Sequence, residues 1–249
     1  MWRRQFLGGL AAAGGLGAGC LAAPRTADGA TTPAPLAEQG FPPSICREEP
    51  LADVGVRGIR HPATAADWSG IDVPAPYRLP DDRGLTAEST VVGIEAGGQA
   101  RAYPLRILHR LEVVNDDLGG PVVVTFCPLC NTGMAASRVV EGSPAVFRLS
   151  GLLWQPPGVR AALSRKEQRV VGGSRANPDA AIRRTGNLVM VDDRTGSYWS
   201  QFLARAICGP ARGTRLRVRP AATTTWGAWR ADHPETDVLL PPPYSTPIE

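Results

Sequence analysis

From about residue 90 onward the chain is a series of short apolar or alternating stretches broken by turn-forming residues. Residues 90–96 form an apolar run, Gly97-Gly98 supplies a turn and 99–105 alternates, which predicts a β-hairpin. Residues 111–115 and the β-branched run 121–126 flank Asp116-Asp117-Leu118-Gly119-Gly120 and predict a second. Residues 138–140 and 145–149, around Glu141-Gly142-Ser143-Pro144, give a third. Residues 187–191 and 197–203, around the turn at 192–196, give a fourth, and 215–218 adds a further strand. Helical signals are few. One short helix is expected over 225–232, capped by Thr225 and stopped before Pro234. The pattern predicts a mainly β fold: a single domain of many short antiparallel hairpins, sandwich or barrel-like, with few short helices.

Residues 155–186 break the pattern. Seven basic side chains (Arg160, Arg165, Lys166, Arg169, Arg175, Arg183, Arg184) stand against Glu167 and Asp179, and Pro156-Pro157 and Gly172-Gly173 punctuate the stretch. It reads as a solvated basic insertion between two strands, with a functional basic lid as the alternative.

Composition narrows the class. A chain of 249 residues, 43% hydrophobic and 20% charged, buries a sizeable core without needing metal or disulfides to fold. No apolar run long enough for a multi-span membrane protein follows the N-terminal region. The net charge of +4 falls to +2 without Arg3 and Arg4, too little to point to nucleic acid. Those two arginines precede Gln5-Phe6-Leu7 and a weakly apolar Gly/Ala-rich stretch, the pattern of a twin-arginine export signal over 1–23. Export would put the protein in the periplasm or at the cell envelope. Cys20 follows Gly17-Ala18-Gly19, with Leu16 one place further away than a lipobox prefers. It reads either as the lipidated first residue of a lipoprotein, which would be the one membrane attachment, or as a small residue beside a signal-peptidase site near Ala22-Ala23. Residues 24–45, rich in Pro, Ala and Thr, read as a flexible tether, and 46–249 as the β-rich domain.

The sharpest chemical feature is Cys127-Pro128-Leu129-Cys130, placed directly after the strand at 122–126. Three readings compete. Two thiolates at this spacing form half of a zinc knuckle, but a tetrahedral site needs four ligands and no second pair of this kind exists. The others would come from Cys46, Cys208, His61, His109 or His233. With the Met134 thioether the pair suits a soft ion such as Cu(I) better than zinc. The second reading is thiol–disulfide exchange, although Asn131-Thr132-Gly133 reads as a turn into a strand rather than a helix start. The third is structural: four cysteines beyond Cys20 allow Cys127–Cys130 and Cys46–Cys208 as simple staples. Glu112 and Asp116 read as a wet strand face before a carboxylate pair, and Tyr198, Trp199 and Trp226 as packing residues. No nucleophile elbow, phosphate loop, dinucleotide fingerprint or zincin motif occurs.

Several blocks in order carry a resemblance: Ala102-Tyr103-Pro104-Leu105, Val114-Asn115-Asp116, the ten residues from Val124 to Gly133, Leu149-Ser150-Gly151, Asn187-Leu188-Val189-Met190, Asp193-Arg194-Thr195 and Trp199-Ser200-Gln201. Together they resemble the exported prokaryotic domain-of-unknown-function family 3179 over about residues 50–240. No activity comes with that resemblance. It implies that Cys127 and Cys130 belong to a signature, with Cys46 and Cys208 outside it, which favours a local role for the pair. The family's His-Glu pair reads Leu111-Glu112 here. His109, two positions earlier, would share a strand face with it and stand in. The resulting expectation is a metal site of Cys127, Cys130, Met134 and His109 holding copper or zinc. A Cys127/Cys130 redox couple and a non-catalytic envelope protein with a structural disulfide are the alternatives.

Overall fold

Strand β6 (Pro121–Cys127) is buried along almost its entire length. That is why its sequence is a continuous apolar run instead of an alternation: both faces of the sheet that holds it are covered. The computed structural model describes residues 43–50, 57–78, 84–128, 130–154, 171–172 and 187–248. These lie in the compact unit Pro33–Glu249. The expected leader at 1–23, with Cys20, falls outside the described residues, as do most of the tether at 24–45 and most of the basic segment at 155–186. At the end of the stretch 24–45, Pro43–Arg47 is a 3-10 helix with Ile45 fully buried.

The central sheet has the order β15 (Val218–Arg219), β7 (Thr132–Ser137), β6, β5 (Val113–Asp117), β1 (Gly58–His61), β18 (Thr246–Pro247). A second sheet runs β11 (Val171–Gly172), β10 (Phe147–Trp154), β12 (Asn187–Asp192), β13 (Tyr198–Ser200), β14 (Arg205–Cys208). A third runs β16 (Ala222–Thr225), β3 (Thr90–Ala96), β4 (Gln99–Pro104), β17 (Asp237–Leu239), β2 (Thr64–Ala65), and β8 (Val139–Val140) pairs with β9 (Ser143–Pro144). The chain is mainly β, its sheets are open rather than closed into a barrel, and its described α-helices are two short ones, α1 (Leu105–Leu108) and α2 (Trp226–Asp232).

Alternation along the central sheet divides the core. Val122, Val124 and Phe126 pack with Ile94, Tyr103, Leu108 and Trp229 on the third-sheet side. Val123 and Cys127 pack with Phe147, Met190 and Trp199 on the second-sheet side. Trp199 and Trp226 are core residues, as their setting in the sequence suggests. Thr225 caps α2 by accepting from the Ala228 N–H at 3.3 Å, and Gly93 leaves room for the Trp229 ring, which would lie 2.4 Å from a Cβ there.

The hairpins at 90–104 and 113–127 and the pairing of β12 with β13 follow the sequence expectation. Three features differ. The third hairpin closes on Ser143-Pro144, and Phe147 opens β10, which pairs with β12 across the basic segment. The strand expected at 215–218 is Val218–Arg219. Two pairings are parallel, β1 with β5 and β4 with β17, where only antiparallel hairpins are expected. Parallel neighbours come from distant segments, so no local alternation signals them.

Candidate thiol–disulfide site

Antiparallel register places Cys127 opposite Thr132 at the turn end of the β6–β7 hairpin, with Pro128 to Asn131 as the connection. Asn131 takes a positive φ of 51°, a conformation Asn tolerates better than most residues, and this brings the chain straight back into β7. Cys127 and Cys130 are joined as a disulfide, and the Cys130 N–H donates to the Cys127 Sγ at 3.1 Å. Both residues are buried, at 1% and 4% exposure.

A polar clamp sits on the same sheet face. Gln201, 1% exposed, donates through Nε2 to Thr125 Oγ1 at 2.8 Å and to the Thr132 carbonyl at 3.2 Å. Its Oε1 accepts from Thr132 Oγ1 at 3.1 Å. Its own N–H donates to the Leu188 carbonyl at 2.9 Å, which fixes it to the second sheet. One side chain thereby ties both strands next to the disulfide to the neighbouring layer. Sequence reasoning carried Gln201 only as the end of the Trp199-Ser200-Gln201 block. Nothing in the local pattern shows where an amide after a strand will reach.

Met134 pairs with Thr125, so it shares the Cys127 face, and it packs partly buried against the cluster containing both cysteines. His109 does not join them. It follows α1, where strand parity does not apply, and its ring lies 5.2 Å from that of Phe126. Phe126 points to the opposite side of the sheet from Cys127. Among the described residues no group of three or more His, Cys, Asp and Glu converges on one point, so neither His61 nor His233 completes a set with the pair. His61 is exposed on β1, and His233 stacks on Trp229. Cys46 is bonded to Cys208, 162 positions away, and ties the 3-10 helix to β14.

The wet-face reading of Glu112 and Asp116 is overturned: their exposures are 8% and 3%. The third sheet covers that side of the central sheet. Asp116 accepts from Arg101 Nη1 through both oxygens at 2.7 Å and from the Tyr103 hydroxyl at 2.7 Å. Burial, then the Asp116 charge, pushes the Tyr103 phenol well above its ordinary pKa. The Glu112 carboxyl makes no hydrogen bond or ion pair among the described residues, and burial pushes its pKa up to about 7. The two acids do not form a pair.

Every block of the resemblance that lies in the described residues has a place in this architecture, and the residues matched to a family of proteins of unknown function, DUF3179, are 70–159 and 184–246. The chain belongs to the DUF3179 family. No curated protein and no solved structure matches it. In this DUF3179 protein the matched residues contain the Cys127–Cys130 loop, the Thr125–Thr132–Gln201 clamp and Met134. Cys46 lies outside the match.

Proposed function

We propose that this DUF3179 protein is a thiol–disulfide redox protein whose working couple is Cys127 and Cys130. The observation that carries the reading is the contrast between its two disulfides. A cross-link stabilises chiefly by restricting the unfolded chain, and the effect grows with the loop it closes. Cys46–Cys208, with a separation of 162, is worth about 5 kcal/mol on that basis. Cys127–Cys130, with a separation of 3, is worth about 2 kcal/mol, in a hairpin already held by six residue pairs. As a staple it adds little, and as a dithiol couple its spacing is apt.

A dithiol partner would attack one sulfur of the pair, form a mixed disulfide and resolve it internally. The partner leaves as a disulfide, and two electrons and two protons end on Cys127 and Cys130. The Cys130 N–H, aimed at the Cys127 sulfur, would favour a thiolate there. Because both sulfurs are covered, exchange would proceed through local opening of the turn end of β6–β7. Gln201 would limit that opening and restore the closed geometry.

The Cys127→Ser/Cys130→Ser variant is expected to lose about 2 kcal/mol or less in urea unfolding, and to lose all exchange with reduced glutathione as followed by alkylation and mass spectrometry. A larger loss of stability, with no exchange in the parent protein either, would instead assign the bond a structural role.

The export reading belongs to the same proposal. Arg3-Arg4 and two disulfides among the described residues both suit an oxidising compartment outside the cytoplasm, with Cys20 as the one membrane attachment. The basic segment at 155–186 contains the interval 160–183 that the family match skips, which supports an insertion there. The small net charge gives no reason to expect nucleic acid.

A second reading rests on Met134. Once reduced, the pair would offer two thiolates, with a thioether on the same sheet face, a soft donor set for Cu(I). It predicts that reduced protein competes with a chromogenic chelator for Cu(I), and that Met134→Leu binds about tenfold more weakly. Equal binding by the two proteins would remove Met134 from the site.

A further inference from the structure

On the side of the central sheet away from the disulfide, a cleft of about 620 Å³ opens beside α1. That volume suits a small organic molecule. Trp68 and Leu85 give it apolar walls, and Ser89 adds a hydroxyl. Arg106, His109 and Arg110 also line it, and their spacing puts all three on one side of the α1 turn. On its other side α1 is anchored by the fully buried Ile107 and Leu108.

The two guanidinium groups are held by backbone rather than by acids. Arg106 Nη1 donates to the Arg78 carbonyl, and Arg110 Nε donates to the Pro76 carbonyl at 3.0 Å. Neither forms an ion pair with a carboxylate among the described residues. Each is therefore fixed in place with N–H donors to spare, an arrangement suited to a carboxylate. Partial burial, then the nearby Arg106, lowers the His109 pKa, and its ring packs on that of Phe126. Glu88 lines the same cleft.

We propose that this cleft binds a small organic carboxylate, with the carboxylate on Arg106 and Arg110 and the apolar body against Trp68 and Leu85. The site is independent of the Cys127–Cys130 couple, which faces the opposite layer.

Calorimetric titration at pH 8 with benzoate and with its neutral isostere benzamide tests this. Benzoate should bind, and benzamide should bind about tenfold more weakly or not at all. Arg106→Gln/Arg110→Gln should lower benzoate affinity by about tenfold or more, while Arg212→Gln, an exposed change outside the cleft, should leave it unchanged. Equal binding of the two probes, no benzoate binding, or undiminished binding by the folded double variant would each overturn the proposal. Should the double variant fail to fold, the benzoate–benzamide comparison on the parent protein decides alone.

Discussion

Glu112 is a buried acid without a partner among the described residues, and this has a consequence that pH reveals. Its folded pKa of about 7 exceeds its ordinary 4.5, so the folded state holds a proton that the unfolded state has lost between those values. Stability therefore falls as pH rises through that window, and the whole penalty is present above about 7. At 1.36 kcal/mol per unit, its upper size is about 3 kcal/mol. Glu112→Gln, which mimics the protonated form, should be more stable than the parent at pH 8 by up to that amount. The two should be nearly equal at pH 4 in urea titrations. A difference that did not change with pH would mean that Glu112 is not desolvated as described. Gln201 shows the opposite treatment of a buried polar group: its side-chain amide finds partners on β6 and β7, and its backbone N–H one on β12.

Among the elements, β5 explains the Val114-Asn115-Asp116 block. Neighbouring strand residues point to opposite faces, so this one block grips both adjoining layers. Asn115 Nδ2 donates to the Ile59 and Phe147 carbonyls at 3.1 and 2.9 Å, and its Oδ1 accepts from the Phe147 N–H at 2.7 Å. Asp116 reaches the other way to Arg101 and Tyr103. Asn115→Ala would strand three buried backbone groups and should cost about 3 kcal/mol or more, measured by urea unfolding. A cost below about 1 kcal/mol would show that water replaces the amide. The Asp193-Arg194-Thr195 turn is organised by Asp192, which accepts from the Arg194, Thr195 and Ser197 N–H groups and from Trp199 Nε1. Such residues are conspicuous as blocks, yet their partners lie on other strands, so the blocks alone do not show what they hold.

Over the whole molecule, three layers with the central sheet in the middle account for what could be read in advance and what could not. The hairpins at 90–104 and 113–127 are local, and turn chemistry with alternation exposes them. The cysteine spacing likewise located the pair. The parallel partners of β1 and β4, and the closing of β10 on β12, depend on segments far apart in sequence. The burial of Glu112 and the separation of His109 from Cys127 follow from which layer covers each face, information that no single strand contains. The same layering puts the two disulfides in different settings. Cys46–Cys208 fastens the chain's N-terminal described segment to the outside of the second sheet, while Cys127–Cys130 sits between layers at a hairpin end.

The central claim, that one of these bonds is a working couple and the other a staple, is tested most directly by their reduction potentials. Both can be measured in a single series of dithiothreitol or glutathione buffers, with alkylation and peptide mass spectrometry reporting each pair. The account predicts that Cys127–Cys130 titrates within the range of roughly −120 to −270 mV spanned by thiol–disulfide proteins, and Cys46–Cys208 below about −300 mV. A Cys127–Cys130 bond that also held below about −300 mV would contradict it.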